Sequence, residues 1–167
     1  QLQLGNGQLL WQPTADGWQL ASSALKIHSA DRSWHDFQLQ LSRQQGSYRG
    51  SLQQLQLAVL LPLAQLLAED VSGLSQLLQY QFDGRLTQLS LQLDEKDWFV
   101  SGDFIDLTAA PVTDTPGVAE LYGHFSASRD YIRVDLQGQD GLLRWTDAFN
   151  RDMPYQSLQA RLEAVLE

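Results

Sequence analysis

Leu89-Ser90-Leu91-Gln92-Leu93 decides the reading of this chain. Leucine and a polar residue alternate with period two, so successive side chains leave an extended backbone on opposite faces. Phe37-Gln38-Leu39-Gln40-Leu41 and Ile132-Arg133-Val134-Asp135-Leu136 repeat the pattern. One face is greasy; the other carries Gln, Ser, Asp and Arg. That is the signature of half-buried strands in an antiparallel sheet.

Working outward from these runs, the alternation predicts strands near 1–12, 17–28, 34–43, 47–57, 85–94, 97–107, 118–127, 131–138, 141–146 and 156–165. Asn6-Gly7, Asp16-Gly17, Asp83-Gly84 and Asp140-Gly141 read as tight hairpin turns, because these residue types tolerate positive φ. Gln45-Gly46-Ser47 and Ser128-Arg129-Asp130 read as looser turns, and residues 111–117 as a loop. Strands joined in this way give an antiparallel meander.

The period changes once. From Ala58 to Gln81 the apolar residues Leu60, Leu63, Leu67, Val71, Leu74 and Leu78 fall at helical spacing. Pro62 suits a first helical turn, and Ser72 can cap a second helix. The expected organisation is one segment over 1–167, with a first strand set at 1–57, a helical hairpin at 58–81 and a second strand set at 82–167. The fold class is mainly β: a curved antiparallel sheet, a gutter-like β-groove, with one short helical hairpin. A faint internal similarity between the two strand sets suggests an elongated β array. The alternation fits an open gutter and a closed sandwich equally well.

Composition narrows the function classes. The 167 residues include 20 Asp plus Glu against 11 Lys plus Arg, a net charge of −9. Nucleic-acid binding needs a basic surface, so none is expected. The chain has no cysteine, which excludes disulfides and thiolate chemistry. It contains no run of about 18 apolar residues of the kind that crosses a membrane as a helix. His28, His35 and His124 lie on separate strands, without metal-ligand spacing, so no metal and no cofactor are expected. Asp94, Glu95 and Asp97 surround Lys96 in a predicted turn and read as a solvated tip. Asp103 and Asp106 flank Phe104-Ile105 in a strand; Asp103 reads as an outward polar position and Asp106 as standing near the strand end. No nucleophile elbow, phosphate loop or dinucleotide fingerprint is present, and an enzyme is not expected. Trp11, Trp18, Trp34, Trp98 and Trp145 are spread one per strand, as in sheet packing. A carbohydrate platform would need several of them exposed on one face beside a carboxylate.

An ordered set of short pieces resembles the AsmA-like envelope proteins of Gram-negative bacteria, in particular the YhdP type. The pieces are Gly7-Gln8-Leu9-Leu10-Trp11, Asp16-Gly17-Trp18-Gln19-Leu20, the leucine-rich stretch 59–80 and Gly84-Arg85-Leu86-Thr87-Gln88-Leu89. They continue with Trp98-Phe99-Val100-Ser101-Gly102, Pro116-Gly117-Val118, Leu121-Tyr122-Gly123-His124-Phe125 and Asp140-Gly141-Leu142-Leu143-Arg144-Trp145. Such proteins are similar to TamB and to the eukaryotic bridge-like lipid transfer proteins. The resemblance implies an internal periplasmic segment of an inner-membrane-anchored protein, without its anchor helix. It also implies a stack of β-groove repeats that conducts phospholipids toward the outer membrane. The family has no catalytic motif to carry over.

The expected partners are phospholipid acyl chains, neighbouring β-groove repeats of the same chain and other envelope proteins. Membrane contact would come through other parts of the full-length protein. The expected lipid-contact residues are Leu39, Leu41, Leu89, Leu91, Trp98, Val100, Phe104, Leu121, Phe125, Ile132, Val134 and Leu136. The acidic balance leaves tail contact as the favoured mode and argues against a phosphate-clamping headgroup pocket. The alternatives are a ligand-free structural or protein-interaction module and, behind it, a carbohydrate-binding β domain.

Overall fold

The computed structural model describes residues 2–4, 7–29, 32–58, 79–112, 115–145 and 152–166. Twelve strands are present among them: β1 (Leu2–Leu4), β2 (Leu9–Thr14), β3 (Gly17–Ser22), β4 (Leu25–Ser29), β5 (Arg32–Phe37) and β6 (Leu39–Gln44). They continue as β7 (Ser47–Gln56), β8 (Asp83–Leu93), β9 (Trp98–Ala109), β10 (Gly117–Ser128), β11 (Tyr131–Arg144) and β12 (Met153–Val165). Nine of them form one curved, unclosed sheet in the order β12-β11-β10-β9-β8-β7-β6-β3-β2. Every neighbouring pair in it is antiparallel. A second, three-stranded sheet has the order β1-β4-β5. The meander is therefore interrupted once: the chain leaves the main sheet after β3, forms the β4–β5 hairpin, and returns as β6 beside β3.

The expected helical pair lies, from 59 to 78, outside the described residues; Leu57, Ala58 and Gln79 on either side are helical.

Several strand limits differ from the sequence reading. The stretch 1–12 holds two strands, β1 and β2, and β1 pairs with β4. The stretch 17–28 divides between the two sheets, and 34–43 divides into β5 and β6. The expected strands 131–138 and 141–146 are one strand, β11.

The turns differ as well. Gln45-Gly46 is a two-residue hairpin: Gln44 faces Ser47, and both turn residues have positive φ, 49° and 86°. That is what a tight turn of this hand requires. Between β2 and β3 the turn residues are Ala15 and Asp16, with Thr14 facing Gly17. Asp83-Gly84 and Asp140-Gly141 lie inside strands.

The same tolerance of positive φ serves a different purpose there. Asp36, Gln88, Asp106, Glu120 and Asp140 have φ between 51° and 64°. Each occupies the third position of a four-residue pattern: Trp34-His35-Asp36-Phe37, Leu86-Thr87-Gln88-Leu89, Phe104-Ile105-Asp106-Leu107, Val118-Ala119-Glu120-Leu121 and Gly138-Gln139-Asp140-Gly141. Register shifts fall between Thr87 and Ser90 in β8, between Val118 and Leu121 in β10, and where β9 passes Leu121 to Gly123. These are β-bulges. Each inserts one residue, so apolar side chains spaced by three return to the same face. Bulges on four successive strands, β8 to β11, bend the sheet beyond its ordinary twist.

Full burial of apolar side chains is confined, among the described residues, to Leu25, Phe104, Ala109 and Leu121. Phe37, Leu52 and Leu55 pack against this core, half-buried.

Candidate functional site: one apolar face

Residues directly opposed in an antiparallel ladder share a face, so the register carries a face assignment from strand to strand. Trp11 faces Leu20, which faces Leu41, then Gly50, Leu91, Val100, Ala127, Ile132 and Ala164. This apolar row crosses all nine strands. At about 4.8 Å per strand it runs for roughly 38 Å. A second row, two residues further along, joins Leu39, Leu52 and Leu89, with Gly102, Phe125, Val134 and Leu162 continuing it. Past the first bulge, Leu55, Leu86, Phe104, Gly123, Leu136 and Ala160 form a third. Leu107, Leu121, Gly138 and Leu158 form a fourth.

All twelve residues expected from the sequence to contact lipid stand on this one face. They differ in access. Phe104 and Leu121 are each 3% exposed and act as floor. Leu91 is 41% exposed, and Trp11 and Leu162, which were not among the expected lipid contacts, are 60% and 57% exposed. The others are half-buried.

Glycines shape the relief of the face. Gly50 lies in the first row between Leu41 and Leu91, and its missing side chain leaves a shallow hollow of about 230 Å³ lined by Leu39, Leu41, Leu52, Leu89, Leu91 and Val100. Gly138 and Gly141, spaced by three across the Asp140 bulge, let the Tyr155 ring lie over them. Its hydroxyl reaches across β11 to donate to the Ala119 carbonyl at 3.0 Å. Burial raises the Tyr155 phenol above its ordinary pKa, with the nearby Glu120 and Tyr122 adding to the rise.

The opposite face is mainly polar, with Leu10, Phe99, Ile105 and Tyr122 as its exposed apolar or aromatic members. Asp103 and His124 face each other on β9 and β10 and pair at 2.8 Å. Asp135 accepts from Arg161 and from Arg133, and Arg133 also approaches Glu163 at 3.9 Å. The hydrogen bond from Arg161, with that from Arg133, holds the Asp135 carboxyl below its ordinary range against the opposing effect of burial. Arg85 pairs at 3.1 Å with Asp106, the bulge residue of β9. A hollow of about 480 Å³ on this face is larger than the apolar one, but the side chains around it include Gln19, Gln40, Ser42, Arg49, Ser51 and Gln92, all groups that water satisfies.

The acidic run is a hairpin tip, as its spacing suggested. The Asp94 N–H donates to the Asp97 carbonyl at 2.8 Å, and Asp97 Oδ1 accepts from the Trp98 N–H. No group of three or more His, Asp or Glu able to hold a metal ion is found among the described residues. Trp11, Trp18 and Trp98 share the apolar face, and their cross-strand partners, Leu20, Pro13, Arg43 and Leu93, include no carboxylate.

A YhdP protein family model matches residues 1–165. The chain belongs to the YhdP family. This is an AsmA-like envelope family of Gram-negative bacteria. No curated protein and no solved structure is a significant match. Among the described residues no helix is long and apolar enough to cross a membrane.

Proposed function

We propose that this chain is a periplasmic segment of an AsmA-like protein that conducts phospholipids between the inner and outer membranes, with acyl chains lying on the apolar face. One observation carries the reading. One apolar row crosses all nine strands without a break and three shorter rows lie beside it, yet most of their large side chains keep exposed surface. A ligand-free module would hide such a face in a packed core, and a contiguous apolar patch of this extent marks a binding surface.

The mechanism is physical rather than chemical. Each methylene taken from water contributes about 0.8 kcal/mol. Hydrophobic contact is non-directional, so one position along a row is much like the next. One acyl chain spans about half the ~30 Å hydrocarbon thickness of a bilayer. A row of roughly 38 Å therefore leaves a tail room to slide within this segment. Partners in the reading are phospholipid tails, neighbouring repeats of the same chain and other envelope proteins. No reaction step or cofactor enters it.

The test is photocrosslinking from positions 91 and 134 of the full-length protein in cells, with position 90 on the polar face as control. Phospholipid recovered from 91 and 134 but not from 90 supports the reading. No lipid from any position, or equal yields from all three, overturns it.

A further inference from the structure

Whole-chain charge argues against phosphate binding, but it is an average over two unlike faces. Among the described residues the apolar face of the main sheet carries one charged strand residue, Arg43 of β6, two positions beyond Leu41. The register sets Arg43 between Trp18 on β3 and Tyr48 on β7, in a row that continues through Leu93 to Trp98. The Arg43 guanidinium carbon stands 5.5 Å from the centre of the Tyr48 ring, and Trp18 meets Tyr48 edge-on with ring centres 6.5 Å apart. Arg43 and Tyr48 are exposed. No carboxylate among the described residues pairs with Arg43, whereas Arg85, Arg133, Arg144 and Arg161 are all committed to acids.

This row bounds the Gly50 hollow. Leu41 and Leu91, which line it, are the next apolar-face positions along their strands from Arg43 and Leu93, about 6.7 Å away. Moving along the strands, the face thus passes from leucine to a belt of aromatic rings holding one uncommitted cation. Beyond it comes water, at the Gln45-Gly46 and Asp94–Asp97 hairpin tips. Apolar body, amphipathic rings and a lone guanidinium follow the order of an amphiphile's own parts. A guanidinium matches a phosphate diester in geometry as well as charge.

We propose that Arg43 is a headgroup contact: it binds the phosphate of a zwitterionic phospholipid whose acyl chain occupies the hollow over Gly50, with Trp18, Tyr48 and Trp98 at the level of the glycerol esters. The acidic tip at the same end selects a headgroup that carries its own cation over a purely anionic one. This inference rests on the acyl-chain reading and adds polarity to it, fixing which end of the strands the headgroups follow.

The experiment uses the full 167-residue chain and two brominated probes in mixed micelles, phosphatidylcholine and a diacylglycerol with identical tails, each read by tryptophan quenching. Arg43→Gln is expected to weaken phosphatidylcholine binding at least fivefold and leave diacylglycerol binding unchanged. Arg43→Lys, which keeps the charge but not the fork, falls between. Equal losses for both probes would make Arg43 a packing residue and overturn the proposal, as would no loss for either. If the wild-type chain takes up neither probe, the acyl-chain reading itself fails and the headgroup contact goes with it. Diacylglycerol uptake with an unaffected Arg43→Gln variant sinks the headgroup contact alone.

Discussion

Glu120 tests the bulge reading because its side chain is exposed while its backbone sits at φ 61°. In a regular strand position, Val is better than Glu and Gly is worse, over a range of about 1 kcal/mol. A left-handed backbone inverts that order. It costs an L-residue about 1–2 kcal/mol, more for a β-branched one, and Gly nothing. Gly gives back about 0.5–1 kcal/mol of this as lost backbone entropy. Glu120→Gly is therefore expected to be near neutral, and Glu120→Asn likewise, since Asn tolerates this region. Glu120→Val should lose about 1 kcal/mol or more. With an m-value of about 1–3 kcal/mol/M, that shifts the urea midpoint by roughly 0.3–1 M. Ser126, paired regularly with Arg133 and Ser101 in the same strand, is the control, where Val should equal or exceed Gly. If Val is as good as Gly at position 120, the strand is regular there and the bulge argument is wrong.

Three further outcomes are expected. Phe104→Ala should cost about 3–5 kcal/mol in urea unfolding, as for other buried aromatic truncations, because Phe104 is 3% exposed and its ring lies over Gly123. Gly50→Leu should fill the hollow and suppress lipid crosslinking from position 91. Its stability should change by less than about 1 kcal/mol, since the added Cβ meets chiefly the flexible end of Leu41 at 3.0 Å. Asp135 has a folded pKa below its unfolded one, so its contribution is fully present above about pH 4 and is lost as pH falls through the folded value. The gap in urea midpoint between wild type and Asp135→Asn should be full at pH 6 and shrink toward zero at pH 2.

The sheet was legible because its alternation is one-sided. Parity survives a two-residue hairpin, and it assigned all twelve expected contact residues to one face before any register was known. The bulges were not legible by the same rule. Leu86 and Leu89, or Val118 and Leu121, break a period of two by a single residue, and nothing within one strand separates that from noise. The signal lies between strands: an acid or Gln recurs at the third of four positions five times along the chain. Asp140-Gly141 was read as a turn because tolerance of positive φ is the only property a dipeptide reports. Whether it closes a hairpin or bends a strand depends on pairing partners far away in the sequence. Arg43 is in phase with Leu39 and Leu41 and so falls on the apolar face by parity, but a net charge summed over the chain does not report which face a cation occupies.

The exposure of the apolar face among the described residues also bears on how the sheet is held together. With full burial so limited among the described residues, much of the sheet rests on its backbone ladders and on the ion pairs of the polar face, each of modest worth. An occupant of the apolar face would then act as the other half of the core. A ligand that binds only the folded state stabilises it by RT ln(1 + [L]/Kd), about 2.7 kcal/mol at a hundredfold excess over Kd. Substitutions on the two faces should consequently differ in how they depend on lipid. Leu91→Asp, at a position already 41% exposed, should barely shift the midpoint of the lipid-free chain and should abolish the increment that lipid adds. Asp135→Asn should lower the midpoint by the same amount with and without lipid. Bulges that curve a sheet while keeping its apolar residues in phase suit such an arrangement, because they hold one face continuous.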